Sequence, residues 1–541
     1  MAAQHSNEGE QDEEDEIAAA APAKQHEQPD HHAAAAAAAA AAQASAGQQL
    51  TRTTTTTEIT LLSLNCWGLL HISALRAPRL AEIGRQIAIL APVPDIVCLQ
   101  ECWVHDDYLA VRDATRAVLP HGKFYHSGSF GGGLAILSRW PIEESSMFPY
   151  SLNGRPTAFW RGDWYVGKGV AAATVRFGPA EQHVIEVLNT HTHAPYESGP
   201  DDSYLCHRTA QAWDIAKLIR GAIQKGRLVV ALGDFNMTPL SLPHRIITSL
   251  SPIRDTWRVL HPDSSVGSSD QAPEKARGRP VPTAEYNLVV NGAASDTVYN
   301  TWRWTKDQQK KLKTDPCPVD PDTHDPRGKR IDYVFASTGA VSTSSATTTI
   351  ASSASSSSSS SGSSVSGGRR GWVVKSTAVE LTGRHPTLNC SLSDHFAVRA
   401  TLQQHTLPSD NTTARSELDA QYDEQLRYDE RHANALTLSD YDEMLAMTQK
   451  YTARERRQRF WRGVHFHAAL VVWLACLVAV WFSPRSFVTF LLMLLASLGL
   501  TAGVIDGLLA LLFFSREIRG LKEFEWEIQN ARAAAVSKGV S

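Results

Sequence analysis

The sequence lacks the features that mark secreted or zinc-bound proteins. Its seven cysteines are an odd number, and they are scattered without a paired or C-x-x-C spacing. This pattern predicts reduced thiols rather than a disulfide framework or a zinc site. The N-terminal region has no basic segment adjoining an apolar core, so no secretory signal is visible. We therefore expect the folded part of the chain to lie in the cytosol.

The chain also lacks a strong charge of either sign. Its net charge is −4, whereas a protein that binds duplex nucleic acid usually carries a basic footprint. No internal repeat is apparent in the sequence. The charge balance counts against a nuclease, and we expect no nucleic-acid partner.

Two stretches have compositions that do not predict packed structure. Residues 1–56 are dominated by an acidic run, a poly-Ala tract and a Thr run, and residues 337–368 are rich in Ser and Gly. Such compositions bury too little apolar surface to fold. We predict a disordered N-terminal tail, and a flexible insertion loop within a folded domain over residues 57–405.

Polar side chains close or follow several predicted apolar strands. Asn65 ends the run LLSLN, Glu101 follows DIVCLQ, and His191 ends VIEVLNTH. Each residue alone is as well explained by a turn or a cap. The pattern recurs at what we interpret as five consecutive strand ends, which indicates one shared site rather than unrelated turns.

Two short motifs complete this series. GDFN places Asp234 and Asn236 two residues apart after a buried strand, where an extended backbone would turn both side chains to one face. SDHF places Asp394, a hard oxygen ligand, beside His395, a proton acceptor of the type that titrates near neutrality. The series Asn, Glu, His, Asp-x-Asn and Asp-His predicts an active site.

Seven segments carry a family resemblance: LNCWGL, DIVCLQECW, GGGLAILSRWPI, NTHTHAPY, GDFNMTP, KRIDYVF and SDHFAV. In these segments the chain resembles the endonuclease/exonuclease/phosphatase (DNase I-like) superfamily. Within it, the chain resembles the neutral sphingomyelinase branch, which includes the fungal inositol phosphosphingolipid phospholipases C. The resemblance implies an α/β fold, namely a four-layer α/β sandwich followed by a C-terminal two-helix transmembrane hairpin.

The resemblance also implies a metal site. It makes Glu101 the principal ligand with Asn65 beside it, while Asp394 either helps to bind the metal or fixes a histidine. Oxygen ligands of this kind suit Mg²⁺, which takes few protein ligands and keeps several waters. We expect Mg²⁺ as cofactor, with Mn²⁺ as an acceptable substitute.

Phosphodiester cleavage further needs a base that takes a proton from water and a donor for the departing oxygen. We assign His395 as the general base. His191 and Asn236 are expected to donate hydrogen bonds to phosphoryl oxygens as charge builds. Asp234 is assigned to the metal's water or to the leaving group, and both assignments stay open.

Two further residues lie close to these motifs in the sequence. His193 follows His191 by two positions, and we expect it to be structural rather than catalytic. Asp332 begins an apolar strand in KRIDYVF, and we expect it to support the site rather than to perform chemistry.

The segment GDWYVGK matches the opening of a nucleotide-binding P-loop. Gly169 stands where the hydroxyl residue of that loop belongs, and the chain continues as a predicted strand instead of a helix. ATP binding is therefore not expected. The family resemblance instead implies that Asp163 and Lys168 form a regulatory pair near the site; the alternative is a solvent-exposed loop with a turn Asp.

After residue 404 the composition changes. Residues 416–450 have helical spacing of apolar residues and predict a juxtamembrane helix, which ends in a cluster of arginines. Two apolar segments follow, at 466–482 and 487–514. The predicted divisions are a helical linker over 406–459, two transmembrane helices over 460–515 and a cytosolic tail over 516–541.

Basic residues flank this apolar pair on both sides, which predicts two spans with both ends in the cytoplasm. The alternative is a buried hairpin in a soluble core. Asp506 lies inside the second apolar segment. Three explanations stay open from the sequence: Asp506 lies near the membrane interface, it pairs with another helix, or it marks a kink.

Together these features predict a magnesium-dependent phospholipase C that releases ceramide from sphingomyelin or from an inositol phosphosphingolipid. The resemblance implies activation by anionic phospholipids, and we expect an endoplasmic reticulum or mitochondrial membrane. The alternatives are a nucleic-acid phosphodiesterase or phosphoinositide phosphatase of the same fold, and a non-catalytic membrane scaffold. Head-group preference, oligomeric state and the group that protonates the leaving oxygen stay open.

Overall fold

The computed structural model describes residues 56–180, 183–197, 202–312, 314–315, 317–339, 341–342, 369–407, 416–427 and 435–539. The predicted N-terminal tail, apart from its last residue, and most of the Ser/Gly-rich insertion lie outside these residues. The strands are β1 (Glu58–Asn65), β2 (Ile96–Gln100), β3 (His121–Tyr125), β4 (Leu134–Ser138), β5 (Ile142–Pro149), β6 (Gly169–Arg176), β7 (Val184–His191), β8 (Leu228–Asp234), β9 (Ile253–Asp255), β10 (Asp332–Ser337), β11 (Val341–Ser342), β12 (Arg369–Glu380) and β13 (Ala397–Leu407).

Helices lie between the strands and dominate the C-terminal region. They are α1 (Arg76–Ile89), α2 (His105–Thr115), α3 (Leu205–Gln224), α4 (Leu242–Leu250), α5 (Thr256–Leu260), α6 (Ala272–Lys275), α7 (Ala284–Val289), α8 (Lys306–Lys311), α9 (Glu417–Arg427), α10 (Leu438–Trp481), α11 (Ser486–Leu508) and α12 (Phe514–Ser537). A π-helical turn, Leu509–Phe513, joins the last two helices, and a 3₁₀ turn spans Thr301–Arg303.

The strands form two sheets that pack face to face. The first has the order β11-β12-β13-β1-β2-β4-β3, and the second has the order β5-β6-β7-β8-β10-β9. The pairs β1–β2 and β7–β8 are parallel. Because the carboxyl ends of parallel neighbours lie at the same edge, each sheet contributes one parallel pair whose ends can build a site.

Alternation along the strands explains why helices cover both outer faces. In β8, Val230 and Leu232 face the core between the sheets, whereas Val229 and Ala231 face the helices that cover the second sheet. Successive side chains of a strand point to opposite faces, so a strand that is apolar throughout must be buried on both sides. Helices α1 and α2 cover the first sheet in the same way. The resulting four-layer α/β sandwich confirms the predicted fold class.

The C-terminal helices differ in outline from the predicted divisions. The stretch predicted as one juxtamembrane helix contains α9 and the beginning of α10. Helix α10 begins with a capping box at Thr437 and runs without a break to Trp481, so the predicted boundary at 459/460 falls inside one helix. The predicted C-terminal tail is also helical, and Leu521 and Phe524 of α12 are buried in the same core as α3.

Helix α10 and the continuous helix Ser486–Ser537 are long and apolar enough to cross a membrane. Only 11% of each apolar window is buried within the protein, whereas a core helix of a soluble domain would be mostly covered. Asp506 pairs with the other helix: it accepts hydrogen bonds from Arg462 and from His465 Nδ1, the latter at 2.7 Å. Of the possibilities left open, partnership with another helix is the one observed.

Candidate active site

Three of the polar side chains lie in a row across the second sheet. Asp234 at the end of β8 is the register partner of His191 on β7 and of Asp332 on β10. The strands approach so closely here that a Cβ at Gly233 would lie 2.0 Å from the Thr190 carbonyl oxygen. This explains the glycine of the GDFN motif, and it sets Asp234 between a histidine and a second carboxylate.

The first sheet supplies the facing side of the site. Asn65 ends β1 and Glu101 directly follows β2. The Asn65 side-chain amide donates to Glu101 Oε1 and to Asp234 Oδ2, at 3.1 Å in each case. One amide therefore joins a carboxylate from each sheet, as the predicted shared site requires.

His395 reaches the site from the segment that precedes β13. Its Nδ1 lies 2.9 Å from Asp332 Oδ2, and its Nε2 lies 4.0 Å from Asp234 Oδ2. Since a carboxylate can only accept, Nδ1 carries the proton and donates it to Asp332. Burial by itself lowers the pKa of His395, but the carboxylates of Asp332, Asp394 and Asp234 raise it well above its ordinary value.

Asp332 therefore has the orienting role that the sequence analysis offered to Asp394. Asp394 is only partly buried, and the closest polar contact described for it is Ser393 Oγ, 3.4 Å from its Oδ1. Its charge still acts on the site, as one of the causes that raise the pKa of Glu101. The acid that fixes His395 comes from a neighbouring strand and not from the adjacent residue in the sequence.

His191 lies among the carboxylates as a neutral imidazole. Its Nε2 is 3.6 Å from Asp234 Oδ2, 4.0 Å from Glu101 Oε1 and 3.4 Å from Lys168 Nζ. Burial and the nearby charge of Lys168 lower the pKa of His191 well below its ordinary value. A neutral ring keeps one N–H that can donate to an oxygen of a ligand.

The backbone at Asn236 corrects one prediction. Strand β8 ends at Asp234, and Asn236 has a left-handed conformation with φ of 46°. The two side chains are therefore not related by the repeat of an extended strand. Instead, Asn236 N donates to Asp234 Oδ1 at 2.9 Å and its side-chain amide donates to the Thr192 carbonyl at 3.2 Å. This turn still keeps Asn236 at the edge of the site.

The series of five consecutive strand ends is also corrected. Strands β3 to β6 lie between Glu101 and His191, and Asp394 and His395 precede a strand instead of ending one. The residues nevertheless converge, because the two parallel pairs and the start of β13 meet at the same edge of the sandwich. Ser393 Oγ secures this meeting by donating to the Asn65 carbonyl at 2.6 Å.

Asp163 and Lys168 are buried beside the site, so the alternative of an exposed loop is wrong. Their side chains form an ion pair at 3.6 Å and are 4% and 6% exposed. Lys168 Nζ also donates to the Thr192 carbonyl at 2.8 Å. Burial by itself raises the pKa of Asp163, but His193 and Lys168 lower it below its ordinary value. The segment continues directly into β6, as predicted, and not into a helix.

His193 lies behind this pair with both ring nitrogens in contact with other groups. Its Nδ1 contacts the Gln211 side chain, and its Nε2 lies 2.8 Å from the Asn153 carbonyl. Burial is the main cause that lowers its pKa to about 3. These contacts support a structural role for His193.

Two carboxylates of the site, Glu101 and Asp234, have raised pKa values. Burial raises the pKa of Glu101 to about 7, and the charge of Asp394 adds to the rise. Burial, together with Asp332, raises the pKa of Asp234 to about 6. Burial and neighbouring carboxylates disfavour the charged forms of both groups, and an additional cation would stabilise those forms.

The donor set fits a hard divalent cation. Glu101 Oε2 and Asp332 Oδ1 are buried and have no hydrogen-bond partner among the described residues. Ligand atoms of Asp234, Asp332 and His395 lie within 4.8 Å of one another. Oxygens from carboxylates, with an imidazole available, match Mg²⁺ or Mn²⁺ better than a metal that prefers thiolates; the Asn65 side-chain oxygen accepts from Trp67 N at 3.0 Å, and its NH₂ group faces the carboxylates. The site is therefore a candidate divalent metal centre.

The sequence analysis missed one buried pair beneath the site. Gln100 Nε2 donates to Asn189 Oδ1 at 2.8 Å, and Asn189 Nδ2 donates to the carbonyl groups of Leu99 and Ala135 at 2.9 Å. These amides link the two sheets directly below the polar row. A long amide side chain inside an otherwise apolar strand was the signal in the sequence, because a buried amide needs partners.

The fold and a family match define the class of protein. The chain matches the Endonuclease/Exonuclease/phosphatase family over residues 62–395. A crystal structure of sphingomyelinase C from Streptomyces griseocarneus aligns with 64% of this chain and 99% of that one, with a TM-score of 0.38 and 16% identity.

Relatives place the chain within the family. It is 35% identical over 476 residues to a Schizosaccharomyces pombe protein named inositol phosphosphingolipids phospholipase C, which covers 88% of this chain and 94% of that one. It is 32% identical over 200 residues to rat sphingomyelin phosphodiesterase 2, over 37% of this chain and 46% of that one. The chain belongs to the endonuclease/exonuclease/phosphatase family, in the branch of these two relatives, as its motifs predicted. It is a phosphodiester hydrolase.

Proposed function

We propose that the protein is a divalent-metal-dependent phospholipase C that hydrolyses the head-group phosphodiester of a sphingolipid to ceramide and a phosphorylated head group. The observation that carries this proposal is the buried junction of Asn65 with Glu101 and Asp234, which gathers excess negative charge beside two histidines. The name and near full-length match of the Schizosaccharomyces pombe relative support the substrate class.

We assign the metal to the side of the site formed by Glu101 and Asn65. Glu101 offers the unpaired Oε2, whereas Asp332 is already bonded to His395 through one oxygen. Asp394, partly exposed nearby, contributes through its charge or through water. A divalent cation bound there would neutralise the phosphate and stabilise the charge that develops on its oxygens.

His395 is the proposed general base. Asp332 holds its Nδ1, so Nε2 is the nitrogen that faces Asp234 and the site interior. Water attacks phosphorus, its proton passes to Nε2, the bond between phosphorus and the ceramide oxygen breaks, and that oxygen takes up a proton from a site acid or from solvent to leave as the alcohol. The ring can take this proton only when the surrounding carboxylate charge is balanced, because that charge otherwise keeps the ring protonated.

The remaining residues stabilise the phosphate. His191 is neutral and supplies one N–H, and Asn236 retains a second amide hydrogen beyond its bond to the Thr192 carbonyl. Both are proposed donors to phosphoryl oxygens as charge increases. Asp234 lies 3.6 Å from His191, close enough to orient it, and is the proposed partner of the leaving group or of a metal-held water.

A direct test compares three substrates under one condition. Purified full-length protein in detergent micelles is assayed with sphingomyelin, inositol phosphorylceramide and a DNA duplex, with Mg²⁺ or Mn²⁺ and then with EDTA. We expect ceramide release from one or both lipids, no DNA cleavage, and loss of turnover in chelator. Full turnover in EDTA would refute the metal assignment, and DNA cleavage without ceramide release would favour the nuclease alternative.

We further propose that anionic phospholipids activate the enzyme at the membrane. Arg456 and Arg459 line a cavity of about 1200 Å³ whose other walls are His467 and apolar residues of α10, α11 and the π turn. Two cations above an apolar groove fit an acidic head group with acyl chains. Turnover should rise with phosphatidylserine or cardiolipin in the micelle, and the rise should weaken at high salt. Equal rates in neutral and anionic micelles would contradict this.

The proposed topology has two spans and a cytosolic catalytic domain, in an endoplasmic reticulum or mitochondrial membrane. Arginines before the first apolar segment and basic residues after the second support it. Asn236-Met237-Thr238 is also a glycosylation sequon inside the site, which a lumenal domain would expose to modification. Protease added to intact microsomes should digest residues 57–405; protection would refute this orientation.

A further inference from the structure

Glu517 is a buried acid in the helix that follows the second apolar segment. Its side chain is 2% exposed. Its Oε1 accepts from Asn153 N at 2.9 Å and from Trp164 Nε1 at 3.1 Å, and its Oε2 lies 3.6 Å from His207 Nε2. A buried carboxylate is costly without such partners, so these contacts fix its place.

The two donors belong to one loop, residues 153–168, which ends at the active site. At one end of this loop, the Asn153 carbonyl lies 2.8 Å from His193 Nε2. At the other end, Lys168 Nζ donates to the Thr192 carbonyl and lies 3.4 Å from His191 Nε2. Glu517 thus joins the first residue of the loop to Trp164, the neighbour of Asp163.

The same helix makes apolar contact with the loop. Phe513 lies at the end of the π turn, and its ring centroid is 4.1 Å from that of Trp164. Helix α12 also approaches the chain just before the loop, because a Cβ at Gly520 would lie 2.8 Å from the Ser151 carbonyl oxygen. The segment Ser486–Ser537 is one continuous helix. The residues that hold the loop therefore continue directly from a candidate membrane span.

We propose that Glu517 is a positioning residue for catalysis. It holds the loop of residues 153–168 against the catalytic domain, so that Lys168 stays beside His191 and the Thr192 carbonyl. This inference rests on the proposed function, since it concerns the same site. Without Glu517, Asn153 N and Trp164 Nε1 lose their acceptor, and the loop loses its hydrogen bonds to α12 while the apolar contact of Trp164 with Phe513 and the strands of the sandwich remain.

Glu527 is a matched control on the same helix. It lies ten residues further on, about 15 Å along the axis. It accepts from Trp213 Nε1 at 2.5 Å and from Lys217 Nζ at 2.8 Å, both on α3. Replacement of Glu527 therefore weakens the attachment of α12 to the domain without removing a bond to the loop.

The test compares Glu517→Ala, Glu517→Gln and Glu527→Ala in the full chain. Substrates are sphingolipid in micelles and the water-soluble bis(4-nitrophenyl) phosphate. Glu517→Ala should lower kcat by about 10- to 100-fold on both substrates, because a misplacement of about 1 Å at a site costs rate in this range. Its KM should change less than about threefold, since the bonds that are lost join Glu517 to the loop and act on the position of Lys168. Glu517→Gln keeps a carbonyl oxygen for both donors and should restore most of the activity.

Amide hydrogen exchange gives a readout that is independent of turnover. Residues 153–168 should exchange faster in Glu517→Ala and at the wild-type rate in Glu527→Ala. Equal kcat losses in the two alanine variants, or an unchanged Glu517→Ala enzyme, would overturn the inference. If the wild-type enzyme hydrolyses neither substrate, the proposed function fails instead; exchange of the loop in Glu517→Ala then still decides whether Glu517 positions it.

Discussion

Two buried Asp–His clusters lie on the second sheet, and they differ in how their charge is balanced. At the end of β9, both carboxylate oxygens of Asp255 accept from Arg330 Nη1, Oδ1 at 3.0 Å and Oδ2 at 2.9 Å. Asp255 Oδ2 also lies 3.1 Å from His244 Nε2. At the end of β8, Asp234 lies next to Asp332 and His395 with no arginine among its described contacts. The clusters share residue types and burial but not net charge.

The acidity of the two carboxylates shows the consequence. Burial raises the pKa of both, but at Asp255 the charges and hydrogen bonds of Arg330 and His244 together outweigh burial and lower the pKa below its ordinary value. At Asp234 burial dominates and the pKa rises to about 6. A carboxylate that is paired stabilises the fold, whereas one that is left in excess is available to a ligand. Neighbouring charges, more than residue type, separate the structural cluster from the functional one.

The largest effect is expected in the candidate active site, on kcat. Glu101→Ala should lower kcat by about 10⁴-fold, because the proposed metal loses its principal ligand. The free energy of unfolding without metal should stay the same or rise, since a buried charge in excess is removed. Turnover and urea denaturation of the same preparation measure the two effects. Activity near wild type would remove Glu101 from the site.

The next effect is expected at the paired cluster, in stability and not in catalysis. Arg330→Ala removes the guanidinium that is paired with the buried charge of Asp255, which should cost about 3–5 kcal/mol of the free energy of unfolding. Thermal and urea denaturation of the full chain in detergent would measure it. A variant that unfolds like wild type would show that Asp255 finds another partner, and the contrast between the clusters would weaken.

Asp332→Asn tests the orienting bond directly. The amide cannot hold His395 as the carboxylate does, so kcat should fall by about 10²-fold, as for the loss of a correctly held general base. Stability should change little, in contrast to Arg330→Ala. The pH dependence of kcat distinguishes orientation from folding, because the limb assigned to His395 should move to lower pH when Asp332 no longer raises its pKa. An unmoved profile would contradict the assigned pair.

The smallest effect is a difference in pH dependence of stability without metal. Asp234 has a raised folded pKa of about 6, so the folded state binds more protons than the unfolded state between about pH 4 and 6, and stability rises as pH falls through this range. Asp255 has a lowered folded pKa, so its contribution is present above about pH 4 and is lost below it. Urea denaturation over a pH series would measure both contributions. Asp234→Asn should weaken the pH dependence of the free energy of unfolding between about pH 4 and 6, and Asp255→Asn should weaken it below about pH 4. The reverse pattern would refute the comparison.

Much of the site was predictable because its residues end or follow apolar strands. Asn65, Glu101, His191 and Asp234 were expected to meet, and the structure brings them together. The bond between Asp332 and His395 was not predictable, because periodicity shows where strands lie but not which strands are neighbours. Register alone places Asp332 opposite Asp234. The turn at Asn236 was not predicted because the apolar pattern suggested that the strand continues past Asp234, whereas the backbone leaves the strand there and becomes left-handed at Asn236.

The fold class followed from motifs and from strands buried on both faces. The extent of the C-terminal helices did not, because composition changes along α10 from charged to apolar while the backbone remains helical. The predicted division at residue 459 follows that change in composition. Helix continuity depends instead on the backbone hydrogen-bond ladder, which no residue between 438 and 481 interrupts with proline.

The unbroken helix α10 connects the core of the catalytic domain directly to the first apolar segment. Its 44 residues extend roughly 66 Å at 1.5 Å per residue, from Leu438 at the domain core to Trp481 at the far end of the first apolar segment. A single residue inserted in the middle of α10 would rotate its C-terminal half relative to its N-terminal half by about 100° and lengthen the helix by about 1.5 Å. In the proposed topology, the register of this helix therefore sets the distance and orientation of the active site relative to the bilayer.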